Sequence, residues 1–513
     1  MVVLLDSLNR HMLGSYGGTE FATPNLDRLA ARSVRFTNHH AGSLPCMPAR
    51  HDLLVGALDF PWKPWGSIEI WEDALTRLLR RDAGVSTMLV SDHPHLFESG
   101  GENYHHEFGG WDYVRGHEDD PWRTRPDPSW VGTPAMPTRI GTFPHGYDTS
   151  RTWFRDEADY PGPRTMTSAA RWLDQELSAE RRQEERALLL VDEFDPHEPF
   201  DVPEPWAGRY DADWDGPRMI WPPYARNQTE SGLTEREGRH LRSQYGAKLT
   251  MIDHWLGRII EVIDRHDAWD TTAFVLCTDH GHYLGERGIW GKPAVPVYPE
   301  LGHIPLLISW PGVAPGTNAA LTTTVDLHAT ICDAFGVTAE HRTHGRSLVP
   351  LLDGTATAIR DWALCGIWGR EVHVLDATRT FAKAPVDSNR PLSMFSNRWS
   401  TMPLRGLPDL RMPRPDHRAV LETAPGSDVR VIRQPFDPSD SVPFWAMGSF
   451  AGDVLFEHRD ASAVAANGAA GASGALENRA DRPAEVAEMT DLLVEALRSI
   501  DAPSEQLTRL GLA

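Results

Sequence analysis

The stretch TAFVLCTDHG, residues 272–281, decides the fold, because a short apolar run ends abruptly at the polar pair Asp279 and His280. A run of this length and composition is typical of a strand that is buried on both faces. The glycine that follows suits a turn that leaves no room for a side chain. The stretch therefore predicts a strand whose carboxyl end presents a carboxylate and an imidazole, and both groups bind metal ions.

Two other stretches have the same form: VVLLD at 2–6 and ALLLVD at 187–192. Each is a short, almost continuous apolar run that ends at an aspartate. The carboxyl ends of parallel strands meet at one edge of a sheet, and reactive groups gather there. We therefore predict that Asp6, Asp192 and Asp279 lie along one edge.

Helices are predicted between these strands. The predicted strands span 2–5, 34–37, 86–90, 187–191, 272–277 and 303–309. The predicted helices span 25–32, where Thr23-Pro24 indicates a capped start, and 73–81, 164–182 and 234–266. This alternation predicts an α/β fold with a mostly parallel central sheet flanked by helices.

After about residue 354 the pattern changes to shorter strand-like pieces and turns, and a last amphipathic helix is predicted at 483–500. We therefore predict an α/β domain at 1–355 and a smaller C-terminal α+β subdomain at 356–513 that packs on it.

Two insertions without clear periodicity, near 112–160 and 200–224, interrupt the first domain and are rich in Trp and Pro. One interpretation is that they form walls of a substrate pocket; the other is that they serve packing or an oligomer contact. Their aromatic rings would suit an aryl or sugar group.

Charge and composition exclude some classes of protein. The chain has 513 residues, an ordinary hydrophobic fraction of 41% and a formal net charge of −22. A protein held to nucleic acid by phosphate contacts needs a basic face, so no nucleic-acid partner is expected. No apolar run approaches the roughly 18–20 residues that span a bilayer, and Asp6 interrupts the apolar start too early for a secretory signal. We therefore expect a cytoplasmic protein without a membrane partner, and homo-oligomerisation is left open.

The chain has four cysteines, far apart and without a CxxC pair: Cys46, Cys277, Cys332 and Cys365. This spacing favours neither a disulfide framework nor a zinc knuckle. Cys46 differs from the others because it opens the stretch CMPARHDLLVG, residues 46–56, which predicts a helix that ends at glycine. The start of a helix favours an anion, and Arg50, one turn on, can fold back toward it.

Several motifs together resemble the sulfatase family of the alkaline phosphatase superfamily. The matching segments are LDSL at 5–8, LGSYG at 13–17, TPNLDRLA at 23–30, CMPAR at 46–50, PHEPF at 196–200, DHG at 279–281 and HGRSLVPLL at 344–352. They follow the family's order over about the first 355 residues. The resemblance implies an alkaline phosphatase-like fold and hydrolysis of a small anionic ester, a sulfate ester first of all.

The resemblance also implies catalytic roles. Cys46 would be the precursor of formylglycine, made by a formylglycine-generating enzyme, and the hydrate of formylglycine would attack sulfur or phosphorus. Arg50 would support the nucleophile and the developing charge. His197 would stand near the leaving group, and Lys292 would bind a non-bridging oxygen.

One divalent metal ion is implied as well, with Asp6, Asp279, His280 and the modified residue 46 as its ligands. Many sulfatases have two adjacent aspartates at the first of these positions, whereas this chain has Asp6 followed by Ser7. Calcium is the first expectation; a histidine ligand and a missing carboxylate shift it toward manganese, and magnesium is the third candidate.

Two further residues are expected to bind substrate. The Lys-x-His pair of many sulfatases is replaced here by HPH at 93–95, so His95 matches the family histidine and His93 stands where a lysine is common. The loss of that fixed charge keeps a phosphonate monoester or phosphodiester hydrolase as an alternative. A non-catalytic binding protein on the same scaffold is the alternative from another class. The role of Asp192 stays open, and one interpretation is that it orients His197.

Overall fold

The computed structural model describes residues 1–98, 103–132, 145–178, 186–400, 414–440, 442, 452–458 and 477–513. Its α-helices are α1 (Pro24–Ala30), α2 (Cys46–Val55), α3 (Leu75–Ala83), α4 (His145–Ser150), α5 (Pro161–Glu176), α6 (Gln228–Ser231), α7 (Glu235–Arg265), α8 (Pro299–Gly302), α9 (Val325–Phe335), α10 (Val349–Leu352), α11 (Pro483–Ser499) and α12 (Glu505–Arg509). Its strands are β1 (Val2–Leu5), β2 (Val34–Phe36), β3 (His39–His40), β4 (Ser43–Leu44), β5 (Ser86–Ser91), β6 (Gly110–Tyr113), β7 (Ala187–Glu193), β8 (Phe274–Cys277), β9 (Tyr283–Leu284), β10 (Trp290–Gly291), β11 (Leu306–Ser309), β12 (Gly316–Asn318), β13 (Thr322–Thr323), β14 (Ala363–Ile367), β15 (Val372–Leu375), β16 (Arg379–Lys383), β17 (Ser393–Phe395), β18 (Val420–Thr423), β19 (Arg430–Pro435) and β20 (Val454–Glu457).

An eight-stranded sheet, in the order β12-β2-β11-β8-β1-β7-β5-β6, lies at the centre of the described chain. β1 lies between β7 and β8 and is parallel to both. β11 runs antiparallel to its two neighbours, and the remaining pairs are parallel. The predicted α/β fold with a mostly parallel central sheet flanked by helices is therefore confirmed.

Both faces of this sheet are covered. Along β1, Val2 and Leu4 point into one hydrophobic core, and Val3 and Leu5 point into the other. Helices α2, α3 and α9 supply side chains to the first core, and α1, α5 and α7 to the second. Burial on both faces is the reason that the strand sequences are continuously apolar instead of alternating.

Helix α7 is the longest helix of the second layer, with 31 residues. It begins where the sequence predicts, because the Thr234 hydroxyl accepts from the N–H of Glu237 while the Glu237 carboxylate accepts from the N–H of Thr234. This reciprocal capping box satisfies two N–H groups at the start of the helix. No helix of the described chain, α7 included, is long and apolar enough to cross a membrane.

The start of α1 differs from the prediction. Pro24 is its first residue, as expected, but the preceding Thr23 hydroxyl has no hydrogen-bond partner among the described residues. The carboxylate of Asp253, on α7, accepts instead from the N–H groups of Leu26 at 2.7 Å and Asn25 at 3.1 Å. The cap of α1 is thus a tertiary contact, which a local sequence pattern does not reveal.

A second, five-stranded sheet has the order β20-β16-β15-β14-β4, and α11 packs on β15 and β16. Strand β4, which lies just before α2, is parallel to β14. The small sheet therefore takes strands from both sides of residue 355. The domain boundary that the sequence indicates there stays a prediction.

Asp253→Ala is expected to lower the free energy of unfolding by about 1–3 kcal/mol, because it leaves two N–H groups of α1 without their acceptor. Thr23→Val, which removes a hydroxyl at the conventional cap position, should change it by less than about 0.5 kcal/mol. Thermal and urea unfolding of the two variants would measure both effects. An equal loss in the two variants would contradict the tertiary cap.

Candidate active site

Three buried carboxylates lie at the carboxyl ends of adjacent parallel strands. Asp6 directly follows β1, Asp192 is the sixth residue of β7, and Asp279 lies two residues beyond β8. Their relative exposures are 0%, 1% and 0%, in that order. The sequence prediction that these residues lie along one sheet edge is therefore confirmed.

Helix α2 brings Cys46 and Arg50 to this edge. Cys46 is its first residue, and all ten residues from Cys46 to Val55 are buried. The preceding Pro45 has a non-helical backbone, and Gly56, with φ at 76°, ends the helix as predicted. The amino end of a buried helix carries a partial positive charge, so this position favours an anion next to residue 46.

Arg50 connects the helix to all three carboxylates. Its guanidinium donates to Asp192 at 2.7 and 3.0 Å, to Asp279 at 2.6 Å and to Asp6 at 2.9 Å. It also donates to the carbonyl of Cys46 at 3.1 Å. A planar guanidinium has five donors in a fixed fork, and this geometry orients the carboxylates and the first turn of α2 together.

Four side chains at this edge form a donor group that could hold a metal ion: Asp6, Cys46, Asp279 and His280. Their ligand atoms lie within 4.8 Å of one another, and all four residues are buried. The set fits a divalent cation for a second reason, the local charge. Arg50 carries one positive charge against three carboxylates, and such an excess of buried negative charge needs a counter-ion.

The imidazole of His280 is oriented for ligation through Nε2. Its Nδ1 lies 2.8 Å from the carbonyl of Gly281, which only accepts, so Nδ1 carries the hydrogen. Nε2 lies 3.3 Å from the Cys46 sulfur, and burial lowers the pKa of His280 to about 4. Gly281 is required here because a Cβ would come within 2.0 Å of the Glu300 carbonyl oxygen.

The pKa values of the other ionisable groups of the donor set are shifted in different directions. Burial and the neighbouring Asp279 raise the pKa of Asp6 well above its ordinary value. Burial also acts to raise the pKa of Asp279, but His280 and Arg50 outweigh it and hold that pKa low. Burial and the Asp6 carboxylate raise the pKa of the Cys46 thiol, so the unmodified side chain is uncharged.

Lys292, which follows β10, and His197, which lies beyond β7, border the donor group. The Lys292 ammonium lies 3.4 Å from the Ser7 hydroxyl and 2.5 Å from Nε2 of His197. Nδ1 of His197 lies 2.7 Å from the Glu198 carbonyl. Because lysine only donates and a carbonyl only accepts, His197 is neutral here, with the hydrogen on Nδ1. Burial and Lys292 lower its pKa, and Glu198 raises it only in part.

The sequence assigns no role to Glu198 or Tyr224, yet both belong to the site. The Glu198 carboxylate lies 3.0 Å from Nε2 of His282 and 3.8 Å from the Lys292 ammonium, and it accepts from the Tyr224 hydroxyl. Tyr224 comes from the second Trp-rich insertion. Position next to His197 is the one sequence signal that could have indicated Glu198; no local pattern points to Tyr224.

The two histidines predicted to bind substrate lie in different surroundings. His93 is fully buried, with Nε2 3.8 Å from the Asp6 carboxylate, and neither of its ring nitrogens has a hydrogen-bond partner among the described residues. His95 is partly exposed and lies between Glu98 and Glu118, the latter at 3.1 Å. Burial acts to lower the pKa of His95, but the effect of the two glutamates is larger and raises that pKa to about 10. Their roles in substrate binding stay predictions.

Asp192 does not orient His197. Both of its carboxylate oxygens accept from Arg50, so that interpretation of the sequence is corrected. The reason lies in the direction of the side chain within β7. Asp192 points toward α2, whereas His197 lies five residues further along, in the loop beyond the strand.

Comparison with known proteins gives a consistent result. The family model described as Sulfatase matches residues 1–337. A choline-sulfatase of Rhizobium meliloti is 27% identical over 385 residues, which cover 69% of this chain and 71% of the relative. A multifunctional alkaline phosphatase superfamily protein of Trinickia caryophylli is 24% identical over 67% of this chain and 74% of its own length.

Among solved structures, the phosphonate monoester hydrolase from Silicibacter pomeroyi superposes with a TM-score of 0.63 at 18% identity. The alignment covers 99% of this chain and 96% of that one, so the two share the fold over nearly their whole lengths. The family model covers well over half of the sequence. The chain therefore belongs to the sulfatase family of the alkaline phosphatase superfamily and is a sulfuric ester hydrolase.

Proposed function

We propose that this protein hydrolyses sulfate monoesters with a divalent metal ion and a formylglycine derived from Cys46. The observation that carries the proposal is the donor group of Asp6, Cys46, Asp279 and His280, whose ligand atoms lie within 4.8 Å of one another. This group stands at the start of a buried helix, where an anion is favoured.

Asp6, Asp279, His280 and residue 46 would hold the cation, and it would act there as a Lewis acid toward the ester. Two carboxylates and one imidazole suit manganese, magnesium or calcium, and calcium would need further oxygen ligands. Ser7 stands next to the group and would supply or order such a ligand. Its backbone N–H donates to Asp279 at 3.1 Å, and its hydroxyl donates to Asp6 at 2.8 Å.

Oxidation of Cys46 to formylglycine by a formylglycine-generating enzyme, followed by addition of water to the aldehyde, would supply an oxygen nucleophile in place of the thiol. Arg50 fixes the residue that bears it, because one guanidinium nitrogen contacts both the Cys46 carbonyl and Asp279. The positive end of α2 and the guanidinium would stabilise negative charge that develops above residue 46.

Lys292 and His197 would act on the two ends of the scissile bond. A bound anion would attract the Lys292 ammonium to a non-bridging oxygen and release Nε2 of His197 toward the leaving oxygen. The charge of the ester would also raise the pKa of His197 from its low resting value. His197 would then donate a proton to the leaving oxygen.

Two observations bear on the substrate. The relative that is a choline-sulfatase supports a small alkyl sulfate, whereas the Trp-rich insertions favour an aryl or sugar group. Hydrolysis of phosphonate monoesters or phosphodiesters is the second candidate activity of the same site, because burial and Arg50 keep the pKa of His93 well below its ordinary value. The site thus lacks the fixed positive charge of a lysine at position 93. Turnover of paired aryl sulfate and aryl phosphodiester substrates distinguishes the two activities.

Cys46→Ala is expected to abolish turnover, with a loss of at least about 10³-fold in kcat/KM, because it removes the nucleophile. Cys332→Ala, at another buried cysteine far along the chain, should keep full activity. In protein produced together with a formylglycine-generating enzyme, the peptide around residue 46 should be lighter by about 18 Da. Activity of Cys46→Ala within tenfold of the unmutated protein would falsify the proposal.

One divalent metal ion per chain is expected in the active protein, and Asp6→Ala or Asp279→Asn should lose it because each removes an anionic ligand. Asp192→Asn is the matched control, since Asp192 lies at the same sheet edge but outside the donor group. It should retain the metal, as measured by elemental analysis of the purified variants. Full activity after exhaustive chelation would rule out the metal's role.

His197→Ala is expected to slow hydrolysis of alkyl sulfates by about 10²–10⁴-fold and of nitrophenyl sulfates by less than about tenfold, because a poor leaving group needs a proton far more. Cys46→Ala should affect both kinds of ester equally. The measurement is kcat/KM across a series of leaving-group pKa values. A uniform loss across the series would mean that His197 binds substrate or supports structure instead.

A further inference from the structure

A buried lysine of α7 donates hydrogen bonds to the backbone of the loop that carries His197. Lys248 is 2% exposed, and its ammonium donates to the carbonyl of His197 at 3.1 Å and to that of Pro199 at 2.7 Å. It also lies 2.6 Å from the carboxylate of Asp195. A single ammonium thus contacts three residues of the five-residue segment 195–199.

His117, from the first insertion, also contacts Asp195. Its Nε2 lies 2.7 Å from the Asp195 carboxylate, which only accepts, and 3.3 Å from the Lys248 ammonium, which only donates. The shorter contact places the hydrogen on Nε2, which donates to Asp195. Burial and Lys248 lower the pKa of His117, so its ring is neutral. His117 therefore orients the Asp195 carboxylate without adding a charge.

Lys248 and Asp195 form the main ion pair among the buried groups next to the loop that carries His197. Burial and the neighbouring Asp195 raise the pKa of Asp92 to about 8, and burial also raises the pKa of Glu193. Asp92 is therefore protonated near neutral pH, and the pKa of Glu193 is shifted in the same direction. Burial raises the pKa of Asp195 as well, but Lys248 and His117 outweigh it and keep it ionised.

The other side of the His197 ring is packed by Phe194. The two rings stack with centroids 4.2 Å apart and an interplanar angle of 24°. Phe194 is fully buried, and its N–H donates to Asp92 at 2.8 Å. The imidazole plane is thus fixed by Phe194, while Lys248 fixes the backbone that carries it.

We propose that Lys248, oriented by Asp195 and His117, is a positioning residue that sets the place of His197 relative to the leaving oxygen. The proposal rests on the proposed function, because it assumes that His197 acts on the leaving group. Lys248 belongs to α7, a long helix packed against α5 and α1. It therefore fixes the loop of His197 relative to a rigid element. Displacement of a proton donor by about 1 Å can cost about 10²-fold in rate.

The test is Lys248→Met, which keeps the length of the side chain and removes the donors and the charge. The matched control is Lys63→Met: Lys63 is equally buried at 2%, donates to the Ser67 carbonyl at 2.7 Å and lies 3.4 Å from Glu69. Both variants would be assayed as metal-loaded, formylglycine-containing protein, with melting temperature and metal content measured alongside. The substrates are sulfate monoesters that span alkyl to nitrophenyl leaving groups.

Lys248→Met should lower kcat for alkyl sulfates by about 10–100-fold and for nitrophenyl sulfates by less than about threefold. KM should stay within about threefold for both. Lys63→Met should show no dependence on the leaving group, even if its melting temperature falls. A loss by one common factor, or no loss, in Lys248→Met would overturn the positioning role.

Two further variants separate the possible failures. If Lys248→Met does not fold, the double variant Lys248→Met with Asp195→Asn removes the unpaired buried charge and should show the same leaving-group dependence. His197→Ala is run in parallel. If His197→Ala itself shows no leaving-group dependence, the proposed role of His197 fails; if it does and the Lys248 variants do not, the positioning proposal alone fails.

Discussion

The site depends on the ion pairs that the Arg50 guanidinium makes with three carboxylates. Arg50 is 1% exposed and bridges carboxylates from the ends of three neighbouring strands. Because those strands are parallel, their carboxyl ends converge, and like charges would repel one another without a cation between them. Arg50 provides that cation from the first turns of α2, and so it also fixes where Cys46 stands. Sheet edge and helix start are therefore held as one unit.

A single guanidinium does not neutralise three carboxylates, and this imbalance gives the site its chemical character. The raised pKa of Asp6 is one sign of it. A divalent cation would remove the imbalance, and Lys292 with the positive end of α2 would then favour a monoanionic ester. Sulfate monoesters and phosphate diesters share that charge and a tetrahedral shape. The same electrostatics therefore suit both, and the two differ in the second ester group that only the diester carries.

The residues around the site stand on structural elements that differ in rigidity. Asp6, Asp192 and Asp279 stand at strand ends, and Cys46 and Arg50 belong to a buried helix. His197 stands on a loop, and that loop is the part with extra support, from Phe194 on one side and Lys248 on the other. The proposed role of His197 as proton donor requires a placement as accurate as that of a nucleophile, and contacts from rigid elements supply it on a loop.

The sequence by itself determined the sheet, the carboxylate edge, the helix start at Cys46 and the motifs of the family. Each of these depends on a local pattern: an apolar run that ends at an aspartate, or a cysteine followed by a helix that ends at glycine. Tertiary structure alone decided that Asp192 binds Arg50, that Asp253 caps α1, and that Tyr224 and Lys248 reach the loop of His197. These contacts join residues 26 to 228 positions apart. Such pairings depend on how helices and strands pack, and neither periodicity nor spacing along the chain encodes that packing.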